Sequence, residues 1–275
     1  MDVPIKTVHL FPKLDQKLLE LLKSLHPDDW SRPTLAKQWT VKDIASHLLD
    51  GNFRTLSFVR DKHVVNTPKE LHSYQDLVDH LNNLNADWVI ATKRISPDLI
   101  IDLLQKTGEA YCACLKTLKP FDASMFSVAW AGQSESKNWF HIAREYTEKW
   151  HHQQQIREAV EKPGIMDREF YFPMMDTFMQ ALPYTYRKVA APEGTHIKVI
   201  VTSEVGGHWS LVRLNTQWEL SLTEISPTVE ISIDPSTAWK LFTKGLSGDD
   251  ARTKVQFKGD EKLCEPILSM VSVMA

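Results

Sequence analysis

The spacing of apolar residues changes once along this 275-residue chain, near residue 195, and the change constrains the fold more than any other feature. Before it, apolar side chains recur every three to four positions, the period of a helix face; after it they alternate, the period of a pleated strand. In the first part, Leu repeats through LDQKLLELLKSL (residues 14–25). A second helix starts at Thr40, an N-cap with Asp43 in the first turn, and runs through HLLDGNFRTLSFVRD. A third covers residues 73–94, with Leu77, Leu81, Leu84, Trp88 and Ala91 on one stripe. Ser96-Pro97 opens a fourth helix that continues to Leu118, since proline suits the first helical position. A loop from Lys119 to Lys137 precedes a fifth helix, Asn138 to Glu161, stopped by Pro163-Gly164. Long helices joined by short connections make a bundle. A further amphipathic stretch, 167–189, is expected to kink at Pro183.

In the second part, IKVIVTS (197–203), HWSLVRL (208–214), WELSL (218–222) and VEISI (229–233) read as strands, with a tight turn at Gly206-Gly207. STAWKLFTKG (236–245) reads as a helix with Ser236 at its N-cap and Gly245 past its end. KVQFKGD (254–260) reads as another strand, and residues 261–274 as a closing helix. The expected class is therefore α+β: a helical bundle, residues 1–164, followed by a small α/β domain with an antiparallel sheet, residues 165–275.

Composition excludes several functions. With 43% hydrophobic and 24% charged residues the chain is not disordered. A net charge of −3 without a basic run argues against nucleic acid as a partner. No stretch approaches the roughly 20 apolar residues of a membrane span, and MDVPIKTVHLF lacks the character of a secretion signal. Cys112, Cys114 and Cys264 are too few for a disulfide framework, which points to the reducing cytoplasm. As nucleophiles they are poor candidates, since mid-helix cysteines are commonly buried and inert.

Three polar residues stand out by position. His47 borders the apolar face of the second helix, while Glu148 and His152 stand one above the other at i and i+4 on the fifth. Gln155, Glu145 and His141 fall near the same stripe. Two imidazoles and a carboxylate on two bundle helices can hold a divalent transition metal with positions left open. An i, i+4 Glu–His pair is also common on solvated helices, where it contributes about 0.2–0.5 kcal/mol. His151 offers Glu148 an i, i+3 alternative, and Trp139, Phe140, Tyr146 and Trp150 serve equally as packing or as a pocket wall. Spacing leaves both questions open.

The string WTVKDIASHL, residues 39–48, resembles the start of the second bundle helix in the DinB/YfiT-like superfamily, in the branch containing mycothiol-dependent maleylpyruvate isomerase. Glu148-x3-His152-x2-Gln155-Ile156 is similar to that superfamily's second motif, which carries Glu-x3-His in the same branch. Gln153-Gln154-Gln155 is nearer to the wider superfamily, since the branch carries Asp soon after the motif histidine. ISPTVEISIDPSTAWKLFTKG followed by KVQFKGDEKL resembles the sterol-carrier-protein-2-like (SCP2-like) domain found at the C-terminus of that branch. The resemblance implies a DinB-like metal-binding bundle and an SCP2-like C-terminal domain, with His47, Glu148 and His152 as metal ligands, and it favours His152 over His151. It further implies a divalent metal, zinc ahead of nickel or iron, and a low-molecular-weight thiol of the mycothiol or bacillithiol type. That thiol would serve isomerisation or S-transfer on an electrophilic small molecule. Two alternatives accompany this reading: metal-assisted hydrolysis with Glu145 as base, and a non-catalytic lipid or small-molecule carrier with a structural metal. The role expected of the C-terminal domain is instead to wall off one side of the metal pocket, with Trp209, Trp218 or Trp239 supplying apolar cover. The thiol, the substrate and the oligomeric state are left open.

Overall fold

The computed structural model describes residues 2–63, 65, 72–222 and 226–274. The chain divides into two compact units: residues 1–127, 135–165 and 274–275 form one, and 128–134 with 166–273 form the other.

Five helices build the first unit: α1 (Phe11–Lys23), α2 (Val41–Thr55), α3 (Tyr74–Thr92), α4 (Pro97–Thr117) and α5 (Asn138–Ala159). Their starts are written locally. Thr40 and Asp43 form a reciprocal capping box on α2, Asp43 N–H donating to Thr40 Oγ1 at 3.3 Å and Thr40 N–H to Asp43 Oδ2 at 3.0 Å. Ser96 Oγ accepts from Leu99 N–H at 3.3 Å ahead of Pro97 at the start of α4. Helices α1 and α2 each contact α4 and α5, closing a four-membered bundle, and α3 lies against α2. Leu18, Leu22, Ile44, Leu48, Ile100, Leu104 and Ile156 fill the middle, each 4% exposed or less. Burying each such side chain contributes about 1.5–3 kcal/mol.

Helix α2 runs directly into a π-helical turn, Leu56–Arg60, so the expected continuation past residue 55 is present with a wider winding. The stripe expected on α3 is rotated. Val78, Asn85, Val89 and Thr92 are buried, whereas Leu84 is 47% exposed and Ala91 lies in solvent. The half-buried Trp88 donates its indole N–H to Ser46 O at 2.8 Å, and Ser46 Oγ meets Thr92 Oγ1. Polar pairing with α2 thus sets the face of α3, which a count of leucines cannot show.

The second unit carries α6 (Arg168–Met179) and α7 (Leu182–Tyr186), then β1 (His196–Val201), β2 (Gly207–Leu214), β3 (Gln217–Ser221) and β4 (Val229–Ile233). After these come α8 (Pro235–Phe242), α9 (Gly248–Arg252), β5 (Gln256–Lys258) and α10 (Glu261–Cys264). The stretch 167–189 breaks at Gln180–Ala181, so Pro183 opens α7 rather than kinking a continuous helix, and Pro173 is the proline inside α6. Asp234, not Ser236, caps α8 by accepting from Thr237 N–H at 3.0 Å. Pro266 ends the closing helix after one turn, leaving the tighter turn Glu265–Ser269.

The sheet order is β3-β2-β1-β4-β5, and its pairs are antiparallel except β1 with β4, which is parallel. The expected antiparallel sheet is present, with one parallel pair, β1–β4, within it. Alternation of apolar residues specifies which face a strand buries, not which neighbour it takes or in which direction. Ile197, Val199, Val201, Leu211, Val229, Ile231 and Ile233 are each 1% exposed or less. Helix α6 covers this face, with Phe172 stacked on Trp209 at 5.7 Å and Asp176 Oδ1 accepting from the Trp209 indole at 2.8 Å. Gly206 is required in the β1–β2 turn, because a Cβ there would lie 2.0 Å from Val201 O.

Candidate metal centre

Helices α2 and α5 run antiparallel, as two contacts along their length establish: the His47 and His152 rings meet edge to face at 4.7 Å, and Lys149 Nζ donates to Asn52 Oδ1 at 2.9 Å. That packing brings His47, Glu148 and His152 together, with one donor atom from each lying within 4.8 Å of the others. His152 Nε2 and Glu148 Oε2 are 3.6 Å apart. Donors about 2.1 Å from a tetrahedral zinc lie about 3.4 Å from each other, so the Glu148–His152 pair stands at coordinating separation. A pair at the 4.8 Å limit would close by about 1.4 Å on that geometry. Both histidines are buried at 8% exposure, while the Glu148 side chain keeps 27% of its surface and opens the cup on one side.

Hydrogen bonds prepare the donors. His152 Nδ1 donates to Gln155 Oε1 at 2.9 Å, which holds the ring with Nε2 toward Glu148. His47 Nδ1 is buried without a hydrogen-bond partner among the described residues, which suits a ring nitrogen that ligates a cation. Burial, then the charges of His152 and Arg54, hold the His47 pKa well below the usual imidazole range, so its ring is neutral and able to ligate. For Glu148, burial alone would raise the carboxyl, but the hydrogen bond from His152 and the charges of His151, His152 and Arg144 outweigh it. Its pKa falls well below the carboxylate range, and the group stays anionic. Trp39 covers the imidazoles, its ring 4.8 Å from His47 and 6.1 Å from His152.

The choice between adjacent histidines follows from where each ring is held. His151 Nδ1 bonds Thr147 O at 2.8 Å, within its own helix, and the ring lies outside the converging set. Burial, followed by the charge of His152, lowers its pKa to about 3. Of the other stripe residues, Gln155 orients His152, whereas Glu145 and His141 bind Arg144. Glu145 also accepts from Tyr111 OH at 3.1 Å, and its pKa is lowered because Arg144, His141 and Arg54 outweigh burial, so it is a weak base. Phe140, Tyr146 and Trp150 are core residues at 2% exposure or less. All three cysteines are buried outside disulfides, and burial pushes the Cys112 thiol up to about 12. Trp209, Trp218 and Trp239 belong to the core of the second unit, where Trp218 donates to Val189 O at 3.0 Å. Sequence reasoning missed Arg54 and Arg144, although their turn spacing from His47 and Glu148 could have signalled them.

Fold and site together define a helical-bundle protein with a two-histidine, one-carboxylate cup, followed by a mixed α+β unit. Residues 11–157, just over half of the chain, match the family described as mycothiol maleylpyruvate isomerase N-terminal domain. The chain belongs to that family. Its structure is similar to a crystal structure of mycothiol-dependent maleylpyruvate isomerase in a histidine-to-alanine mutant, at TM-score 0.53 and 8% identity, covering 91% of each chain. A second crystal structure of that isomerase aligns at TM-score 0.51 and 9% identity, over 85% of this chain and 86% of that one. The likeness extends the shared fold into the second unit. No curated protein matches the sequence.

Proposed function

We propose that the protein is a metal-dependent enzyme that uses a low-molecular-weight thiol, of the mycothiol or bacillithiol type, for isomerisation or S-transfer on an electrophilic small molecule. The observation that carries this reading is the convergence of His47, Glu148 and His152 within 4.8 Å, in a chain of the maleylpyruvate isomerase family. We assign residues 1–164 as the DinB-like metal-binding domain and 165–275 as the SCP2-like domain. Zinc is the metal that nitrogen-rich, four-coordinate donor sets suit first, ahead of nickel or iron. The buried thiols are those of a cytoplasmic protein.

A bound ion of this kind lowers the pKa of a thiol, and the thiol supplies the sulfur nucleophile. The chain's own residues prepare that chemistry. Imidazole nitrogens ligate as uncharged donors and Glu148 adds a single negative charge, so a divalent ion held here would keep net positive charge, which favours an anionic sulfur over a neutral one. Gln155 fixes the His152 tautomer, and Trp39 excludes water from one flank of the imidazoles.

The test has two arms. Protein purified without chelator or nickel is expected to carry about one zinc per chain, and His152→Ala to lose it; full occupancy in that variant overturns the assignment. Metal-loaded protein with a thiol and a conjugated or arylating electrophile is expected to turn over, and to stop on chelation. A bound lipid in native mass spectra, with no turnover, would replace the enzyme by a carrier.

A further inference from the structure

Helix α3 packs chiefly against α2, and its buried residues, Val78, Asn85, Val89 and Thr92, form one flank. The apolar side chains Leu77, Leu81, Leu84, Trp88 and Ala91 lie about a quarter of a turn away from that flank. None of the five is buried: Leu84 is 47% exposed, Ala91 is exposed, and the other three are half-buried. Alternating steps of four and three residues make a seven-residue repeat, the pattern of a seam between two helices rather than of the broader stripe a helix lays on a core. The side of the seam that faces away from α2 carries His80, Asp87 and Arg94 at seven-residue intervals. Asp87 and Arg94 are exposed and His80 is half-buried, and none of the three has a hydrogen bond or ion pair with a described residue.

We infer that α3 is a self-association surface, on which two copies of this chain pair antiparallel along Leu77–Ala91 about a two-fold axis crossing the helix at Asn82–Asn83. In that register Leu81 of each copy packs on Leu84 of the other and Leu77 packs on Trp88, while His80 stands beside Asp87. Arg94, just past the end of α3, comes beside the acidic first turn of the opposite helix at Asp76. The order of charges selects the antiparallel direction, because a parallel pair would set Asp76, Asp87 and Arg94 each against its own copy. The surface is its own complement, so association closes at two chains. Helix α3 meets α2 through Ser46, which accepts from the Trp88 indole, and through Phe53, whose ring lies 5.8 Å from that of Trp88. His47 takes no part in that contact, so this surface and the metal centre stand or fall separately.

Sedimentation of the full-length chain over a concentration series tests the pairing. The mass is expected to rise from one chain to two with a Kd on the order of 1–100 µM, the range of a small interface. One chain mass at every concentration up to about 1 mM overturns the surface. Leu84→Glu is expected to weaken pairing at least about ten-fold, since two like charges then meet near the axis. The same variant is expected to keep the helix content and the unfolding transition of the monomer, because a single chain leaves Leu84 largely in water. An unchanged Kd in Leu84→Glu overturns the surface. His80→Glu and Asp87→Lys test the register without touching an apolar residue. Each alone is expected to weaken self-pairing several-fold, and an equimolar mixture to recover it as dimers containing one chain of each variant by native mass spectrometry. A mixture that pairs no better than its separate components defeats the antiparallel arrangement.

Discussion

Helix α5 carries two polar clusters on neighbouring stripes, one filled and one open. Lys149 Nζ donates to Asp15 Oδ1 and to Asn52 Oδ1, both at 2.9 Å, and lies 4.5 Å from the centre of the Tyr111 ring. Asn52 donates onward to Thr107 Oγ1 at 2.9 Å, and the Cys112 thiol meets Asp15 Oδ2 at 3.7 Å. This network tethers α1, α2 and α4 to α5. On the next stripe Arg144 Nε, and opposite it on α2 His47 Nδ1, are buried with no hydrogen bond to a described residue. A satisfied buried network holds helices in register, whereas unpaired donors are costly to keep unless a ligand completes them. The difference separates architecture from site within one helix.

The largest break in this comparison is expected from the metal donors. His47→Ala is expected to reduce bound zinc from about one ion per chain to background by elemental analysis, while Lys149→Ala keeps it. Saturating zinc at a thousand times its Kd should add about 4 kcal/mol to the unfolding free energy of the wild type and of Lys149→Ala, and nothing to His47→Ala. Next in size is the filled cluster itself. Lys149→Ala leaves Asp15 uncompensated and is expected to cost about 3–5 kcal/mol in urea unfolding. Asp15→Leu combined with Lys149→Met should recover most of that loss, because an apolar pair leaves no buried charge.

Acid sharpens the contrast by a smaller amount. Burial is the main cause that lowers the His141 pKa to about 4 and that of His151 to about 3, against 6.5 for an unperturbed imidazole. Between those values and 6.5 the unfolded chain binds protons that the folded chain refuses. Their contribution is therefore fully present above pH 6.5 and is lost as pH falls through the folded values. Unfolding free energies at pH 7.5, 5.5 and 4.5 should decline in that order, and His141→Gln should flatten the decline. The smallest effect is expected on α3, where Leu84→Ser changes stability by no more than about 0.5 kcal/mol because Leu84 faces solvent. A loss of several times that would return the apolar stripe to Leu84.

Much of the first unit was legible because its signals are local. The Thr40–Asp43 capping box and the Ser96-Pro97 start act within one turn and need no partner. Glu148 and His152 share a face of α5 through helix periodicity alone. The choice of His152 over His151 came from resemblance, and the structure places His151 on Thr147 O instead. Arg54 and Arg144 went unread because charged residues near a helix face are ordinarily solvated, and only packing shows which donors lack partners.

What the amino-acid order determined by itself is the switch from a period near four to a period of two, the helix caps and the shared face of Glu148 and His152. Each depends on backbone geometry within a few residues. Only the tertiary structure decided that His47 meets that face, that α3 turns Val89 inward in place of Leu84, and that β4 lies parallel to β1. Those outcomes depend on residues tens of positions apart, whose approach is set by which surfaces bury best together, and no local spacing encodes that.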